Sequence, residues 1–185
     1  MYHIKNDKRA QASSELICAG LLACMKEKPF ARITITDVQH ASTVSRSTFY
    51  RNFDCLEDVL ALLCDRGFQA VFTEYNALPP AQRGSLAKAV FQYWFRNSAV
   101  LEALVQIHRT DILFDSLRRS SGLIEALQPM ADDPARFDYF VAIITSSMIG
   151  VLTVWVEHGK TETEDQMVQK LTSAFIEMAI LELPG

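Results

Sequence analysis

Apolar residues recur at helical spacing through nearly the whole chain, and few residues interrupt this pattern. Only seven glycines and six prolines occur in 185 residues, so long periodic segments remain between the breaks. Spacings of three and four residues place apolar side chains on one face of an α-helix. The sequence therefore predicts an all-α protein of about nine helices, over residues 8–28, 35–42, 46–52, 56–75, 85–97, 99–108, 111–127, 135–157 and 163–182.

Charge is distributed unevenly along the chain, although the net charge is only −4. The first 53 residues carry eight lysines and arginines against four acidic residues, whereas the remainder carries ten against eighteen. A basic start on an acidic body indicates a local anion-binding surface near the N-terminus. Chance placement of charges on solvated helices is the alternative that charge by itself leaves open.

The second and third predicted helices are short and are separated by about three residues. Thr34 is the expected N-cap of the second helix, where Asp37 completes a capping box, and Ser45 is the expected N-cap of the third. This arrangement is typical of a helix-turn-helix, whose second helix lies in the major groove of DNA.

The third helix has a narrow apolar face and a broad polar one. Phe49 and Phe53 are four residues apart, so they share the face that we expect to be buried. The other face presents Arg46, Ser47, Thr48, Tyr50, Arg51 and Asn52. Arginine can donate two hydrogen bonds to a guanine edge, a threonine methyl can meet a thymine methyl, and hydroxyls and amides suit phosphates. The pattern favours nucleic-acid binding over the alternative, a polar surface helix between two cores.

The segment ITITDVQHASTVSRSTFYRNF followed by LEDVLALL resembles the tetracycline-repressor (TetR/AcrR-like) family of bacterial transcriptional regulators, over about residues 14–63. The resemblance implies a helix-turn-helix DNA-binding domain at 1–53, a connecting fourth helix at 54–76, and a helical regulatory and dimerisation domain at 77–185. The implied base contacts are Thr36, Arg46, Ser47 and Thr48. The implied phosphate contacts are Thr34, Ser45, Tyr50, Arg51 and Asn52, with Lys5, Lys8 and Arg9 as a basic arm.

Four positions depart from the family pattern. Thr43 replaces the usual turn glycine, Gln39 replaces a small residue, and Cys55 and Leu56 replace a polar residue and a lysine. A β-branched threonine is strained in a left-handed turn, so we expect an altered turn. The missing lysine at Leu56 removes a phosphate contact and Asp54 repels phosphate, so we expect weaker or more salt-tolerant DNA binding. Asp54 with Glu57 is a possible replacement capping box for the fourth helix. The alternative function is a helical interaction protein with a degenerate helix-turn-helix that does not bind DNA.

The helix predicted at 135–157 is apolar nearly all round, so it requires burial partners on two sides. The family resemblance implies that a second copy of the chain covers one side, giving a homodimer. The predicted interface residues are Phe140, Ile144, Met148, Val151, Trp155, Leu171, Phe175 and Met178. A monomer whose own helices cover both sides is the alternative.

Eighteen residues without a charge, 139–156, just reach the length of a membrane-spanning helix. Hydroxyl residues and a glycine dilute this stretch and no basic cluster flanks it, which favours a helix buried in protein and no membrane partner. A small-molecule effector pocket is predicted at Phe91, Trp94, Phe95, His108 and Phe114. Aromatic residues at helical spacing are also typical of an ordinary core.

Catalytic and metal-binding motifs are not found in the sequence. The four cysteines have no metal-site spacing, the four histidines are scattered, and no nucleophile elbow, zinc-protease or phosphate-loop motif occurs. We therefore expect no enzyme activity, no cofactor and no metal. The polar N-terminus and unpaired cysteines favour a cytoplasmic protein with free thiols.

Overall fold

The computed structural model describes residues 2–124, 127 and 133–181. Within these residues every long regular element is an α-helix, which confirms the all-α prediction. The helices are α1 (Lys8–Glu27), α2 (Ile35–Ser42), α3 (Arg46–Asn52), α4 (Leu56–Ala77), α5 (Leu86–Arg96), α6 (Ser98–Gln106), α7 (Asp111–Ser120), α8 (Pro134–Glu157) and α9 (Glu164–Leu181).

The predicted seventh helix, 111–127, is too long. α7 ends at Ser120 and continues as a single 3-10 turn, Ser121–Leu123. The Ser121 hydroxyl donates to the Arg118 carbonyl at 2.7 Å, so a side chain competes with the backbone for the helical acceptor. Residues 125 and 126 of the predicted extension lie outside the described residues, as does most of the expected break at 128–134.

Both predicted caps of the short helices are present. The Thr34 hydroxyl accepts the Asp37 amide at 3.2 Å, and the Asp37 carboxylate accepts the Thr34 amide at 2.7 Å. Lys28, just after α1, lies 2.7 Å from the same carboxylate and holds its pKa well below the usual range, helped by the bonds from Thr34. Ser45 accepts the Thr48 amide at 3.3 Å. Local hydrogen bonds therefore define where α2 and α3 begin.

The turn between α2 and α3 keeps a left-handed residue despite its sequence. Thr43 has φ 58° and ψ 18°, so the expectation of an altered turn is wrong. Threonine holds the conformation at a cost of about 1–2 kcal/mol. Nearby, the Gln39 side-chain nitrogen is buried without a hydrogen-bond partner in the described part of the chain. Both departures from the family pattern thus reduce stability while the backbone geometry is retained.

The start of α4 also differs from the prediction. The carboxylate that accepts the Asp54 amide is Asp58, at 2.9 Å, so the proposed capping box with Glu57 is wrong by one residue. Leu56 is only 8% exposed and belongs to the apolar core. A lysine at this position would replace a core side chain, so the leucine serves packing.

α1 packs closely on α2 at a glycine. A Cβ on Gly20 would lie 2.8 Å from the Ser42 Cβ, which leaves no space for a larger residue. Phe49 and Phe53 are fully buried, as the sequence predicts, and join a core that extends through α4 to Trp155 on α8 and Met167 on α9. α4 contacts α1 on one side and α5, α6 and α7 on others, so it connects α1–α3 to the rest of the chain.

A carboxylate on α4 ties three segments together. Asp65 accepts hydrogen bonds from the Tyr2 hydroxyl at 2.6 Å, the Ser116 hydroxyl at 2.5 Å and the Arg119 guanidinium at 2.8 Å. Burial and the bond to Asp65 raise the pKa of Tyr2 to about 12. The segment before α1, α4 and α7 are therefore joined at one polar cluster.

Among the described helices, α8 alone is long and apolar enough to cross a membrane, judged by length and composition. It packs against α6, α7 and α9 on its inner side. Its outer side exposes Tyr139 (74%) and Ile143 (54%), together with Val154. The described part of the chain therefore covers only one of the two apolar sides of this helix.

Candidate nucleic-acid interface

α3 presents its polar side chains outward because its two phenylalanines are held in the core. The Phe49 ring lies 5.7 Å from the Phe53 ring, and both side chains are fully buried. The exposed residues include Arg46, Ser47 and Arg51, and Tyr50 is 42% exposed. No acidic residue occurs between Ala41 and Phe53. This face can donate hydrogen bonds to a polyanion without repelling it.

Three hydroxyl groups gather at the N-terminal end of α3. The Ser45 hydroxyl lies 3.1 Å from that of Ser47 and 3.0 Å from that of Thr48. The structure thus brings together two predicted base contacts and one predicted phosphate contact. On α2, Thr36 is exposed, whereas the Thr34 hydroxyl is engaged with Asp37 in the cap.

Two larger side chains of α3 contact each other. The Arg46 guanidinium donates to the Tyr50 hydroxyl at 3.3 Å. Its central carbon also lies 5.3 Å from the centre of the Tyr50 ring, which is within cation–π range. A predicted base contact and a predicted phosphate contact therefore form one unit on the helix surface.

Asn52 is almost fully buried, whereas the sequence predicted it as an exposed phosphate contact. Its side chain is 2% exposed, and its amide nitrogen donates to the Thr48 carbonyl at 2.8 Å. The residue lies on the inner side of the last turn of α3, where its side chain satisfies a helix carbonyl. The carbonyl of Asn52 itself accepts the His3 amide at 3.0 Å, which holds the N-terminal segment against α3.

A small basic cleft lies between this N-terminal segment and α3. Its volume is about 140 Å³, and its lining contains the cations Lys5, Arg9 and Arg51 and one carboxylate, Asp7, together with Ala10, Ser13, Thr48 and Asn52. Three cations around a cleft of this size fit one phosphate group. Lys8, predicted as a phosphate contact, is exposed at the start of α1 and does not line the cleft.

A second, apolar groove runs between α8 and α9. Its volume is about 380 Å³, and five predicted dimer residues line it: Val151, Trp155, Leu171, Phe175 and Met178. Trp155 lies at its inner wall, since its ring stacks 4.0 Å from that of Phe95 and its nitrogen donates to the Glu162 carbonyl. Met178 is exposed.

The remaining predicted dimer residues lie inside the chain. Met148 is buried, and Phe140 and Ile144 are half-buried against an internal cavity. This part of the stripe predicted to form the dimer interface therefore faces the core of the protomer. The exposed stripe is Tyr139, Ile143, Gly150 and Val154, at the same helical spacing.

The predicted effector residues do not line either of the two apolar cavities described here. Phe91 and Trp94 are buried in the core, Phe95 stacks on Trp155, His108 is exposed, and Phe114 is half-buried elsewhere. A different apolar cavity of about 150 Å³ lies between α4, α5, α7, α8 and α9. It is lined by Phe72, Leu86, Ala87, Val90, Leu117, Ser121, Ile124, Leu127, Phe140, Val141, Ile144, Thr145, Met148 and Leu171.

Comparison with models of known protein families shows to which family the C-terminal helices belong. Residues 85–177 match a TetR-type family model described as a transcriptional regulator C-terminal region. The chain belongs to the TetR family of transcriptional regulators.

Solved structures agree with this assignment at the level of the fold. Lin0861 from Listeria innocua superposes with a TM-score of 0.73 at 17% identity, over 95% of this chain and 96% of that one. A protein from Syntrophomonas wolfei assigned to the TetR family gives a TM-score of 0.64 at 18% identity, over 94% and 97% of the two chains. No curated protein matches by sequence.

In this TetR-family regulator, the apolar cavity and the exposed stripe of α8 were not predicted from the sequence. The cavity has walls from five helices, so no local pattern reports it. The stripe could have been predicted from the helical spacing of Tyr139, Ile143, Gly150 and Val154, which are four, seven and four residues apart. The described side chains contain no histidine, cysteine, aspartate and glutamate cluster suited to a metal ion.

Proposed function

We propose that this TetR-family regulator is a cytoplasmic repressor that binds double-stranded DNA as a homodimer. Each protomer would place α3 in the major groove of one half of a palindromic operator. The observation that carries this proposal is the acid-free, exposed face of α3 beside the basic cleft of Lys5, Arg9 and Arg51. Thr36, Arg46, Ser47 and Thr48 are the proposed base contacts.

The retained turn geometry supports DNA reading over the alternative of a degenerate interaction module. Thr43 adopts the left-handed conformation expected of a glycine, and α2 and α3 keep their caps. A sequence that had lost its helix-turn-helix function would not need to hold this strained residue. We assign phosphate binding to Ser45, Lys5, Arg9 and Arg51, and remove Asn52 from the set.

Salt dependence tests the phosphate sites. Arg51→Ala should lower the slope of the logarithm of the binding constant against the logarithm of salt concentration by about 0.9. The matched control is Arg118→Ala, because Arg118 is also an exposed arginine but lies on α7. Fluorescence anisotropy with a labelled duplex at several salt concentrations measures both. Equal slopes for the two variants would remove Arg51 from the interface, and no binding by the unmodified protein would reject the function.

The homodimer is supported by the outer faces of α8 and α9. Two exposed apolar side chains, Val154 and Met178, line the groove. Further exposed apolar side chains on the same two helices are Tyr139, Ile143 and Ile176. Contiguous apolar surface of this kind typically marks a protein interface. Two copies of the pair α8 and α9 would bury it in a four-helix arrangement, and would set the distance between the two α3 helices.

The effector is proposed to occupy the apolar cavity. Leu117 of its wall lies on α7, and Ser121 directly follows that helix. Ser116 and Arg119 of α7 bind Asp65 on α4. Movement of α7 would therefore reach α4 and the N-terminal segment through Tyr2. An effector must prefer one of the two arrangements to change DNA affinity.

The lining of the cavity indicates an uncharged, apolar effector. It contains twelve apolar side chains and the hydroxyls of Ser121 and Thr145, with no charged residue among the described lining residues. Apolar cavities of about 150 Å³ bind benzene-sized molecules. Toluene should raise the melting temperature and weaken DNA binding, whereas benzoate should do neither. Ala87→Phe, which fills the cavity, should abolish the toluene response; a response that persists, or an equal one to benzoate, would contradict this site.

A further inference from the structure

Tyr50 is connected to the core on one side and to Arg46 on the other. Its ring meets the buried Phe49 ring edge-on, with the ring centres 5.6 Å apart and an interplanar angle of 84°. Its hydroxyl and ring face the Arg46 guanidinium, at 3.3 Å and 5.3 Å. An exposed arginine is thus linked through one aromatic ring to a fully buried phenylalanine.

Helix geometry explains why this pair forms. Side chains on an α-helix lean toward its N-terminus, so the residue at i+4 covers the turn that carries residue i. Tyr50 therefore lies over Arg46, in the first turn of α3. In a helix-turn-helix this N-terminal part of the recognition helix contacts base edges.

We propose that Tyr50 is a positioning residue, which holds the Arg46 guanidinium ready to read one base pair. This inference rests on the proposed DNA binding and gives Tyr50 a role other than the phosphate contact expected from the sequence. A long arginine side chain loses rotamer freedom when it is fixed on a base edge. Contact with the Tyr50 ring removes part of that freedom in the free protein. The arginine side chain therefore loses less conformational entropy when DNA binds.

The two roles predict different patterns of binding. A phosphate contact strengthens binding to every sequence by a similar factor and contributes to the salt slope. A residue that positions Arg46 affects only the discrimination at the base pair that Arg46 reads. The ring provides the larger contact surface, so most of this effect should survive removal of the hydroxyl.

The experiment begins with an operator selected by the unmodified protein and a set of single base-pair variants of it. Arg46→Ala identifies the base pair in question, where discrimination should fall by about tenfold or more. Tyr50→Leu should then reduce discrimination at the same base pair by about two- to fivefold, and Tyr50→Phe by less than about twofold. In the Arg46→Ala background, Tyr50→Leu should have no further effect on discrimination.

Two controls separate this role from others. Arg51→Ala should weaken binding to all variants alike, because Arg51 lines the phosphate-sized cleft. The exposed position of Tyr50 predicts that Tyr50→Leu melts close to the unmodified protein. If it does not, Tyr50→Met, another good helix former, supplies the same comparison.

Several outcomes would overturn the inference. Equal weakening of all sequences by Tyr50→Leu would make Tyr50 a phosphate contact, and additive effects on discrimination in the double variant would make it a base contact independent of Arg46. An Arg46→Ala variant with unchanged discrimination everywhere would leave Tyr50 nothing to position. In both cases the unmodified protein still binds its operator, so the proposed function stands. Absence of any duplex binding by the unmodified protein at low salt would overturn both proposals.

Discussion

The helix α3 and the pair α8 and α9 differ in how completely their apolar side chains are buried. On α3 and just after it, Phe49 and Phe53 are fully buried, and the exposed side chains of this helix are polar and include no acid. Along α8 and α9, apolar side chains such as Tyr139, Ile143 and Ile176 stay exposed. The first region leaves a surface that suits a polar partner, whereas the second leaves exposed apolar side chains of the kind that typically mark a protein interface.

This difference separates two kinds of stability. The packing of α1–α3 should depend only on the chain itself, so its contribution does not change with protein concentration. The packing of α8 and α9 should include a contribution that rises with concentration, because association stabilises the folded state.

The largest expected effect is the loss of a core ring under α3. Phe49→Ala should lower the free energy of unfolding by about 3–5 kcal/mol, since it leaves a cavity beside Phe53. Denaturant titrations at two protein concentrations measure it. The destabilisation should be the same at both concentrations; a value that depends on concentration would show that α3 is stabilised by self-association.

A charge in the outer stripe of α8 should separate the protomers. Ile143→Glu places a carboxylate in the proposed interface and should weaken dimerisation at least about tenfold, measured by sedimentation equilibrium. Leu16→Glu is the matched control, because Leu16 is a similarly exposed leucine on α1. A dimer that tolerates Ile143→Glu as well as Leu16→Glu would place the interface elsewhere.

Removal of the Tyr2 hydroxyl should loosen the cluster at Asp65 by about 1 kcal/mol at neutral pH. The raised pKa of Tyr2, about 12, means that the folded state keeps the phenol protonated where the unfolded chain loses the proton. Its stabilising contribution is complete below pH of about 10 and is lost as the pH rises toward 12. Tyr2→Phe should therefore show a shallower loss of stability over this range; parallel curves would exclude the coupling.

The smallest expected effect is a gain. Thr43→Gly should stabilise the protein by about 0.5–1 kcal/mol, because relief of the left-handed strain exceeds the added entropy of the unfolded chain. Ala41→Gly, on the exposed side of α2, is the control and should destabilise by a similar amount. Thermal melts compare the two. A destabilised Thr43→Gly would mean that the threonine side chain makes a compensating contact.

Local hydrogen bonds account for what the sequence predicted best. The bounds of α2 and α3, their caps at Thr34 and Ser45, and the burial of Phe49 and Phe53 depend on residues within a few positions of one another. The predicted end of the seventh helix and the predicted cap of α4 were wrong for a related reason. There a competing side chain, Ser121 or Asp58, takes a bond that the helix pattern does not reveal.

Tertiary packing accounts for what the sequence could not give. From its residue type and position, Asn52 was predicted to be a polar surface residue. In the structure it is only 2% exposed, and its side chain donates a hydrogen bond to a carbonyl of α3. Trp94 and Phe91 were predicted to line a pocket because they are aromatic, and the packing of neighbouring helices closes that space. The cavity and the outer stripe of α8 arise from the relative rotation of several helices, which periodicity within one helix does not determine.

The most direct test of the account is selection of bound sequences from a random pool of duplex DNA with the unmodified protein. The account predicts enrichment of an inverted repeat whose half-sites lie about one or two helical turns apart, since two copies of α3 would read it together. It also predicts that the enrichment disappears with Ile143→Glu. A pool that shows no enriched sequence even at low salt would contradict the central claim that α3 reads DNA.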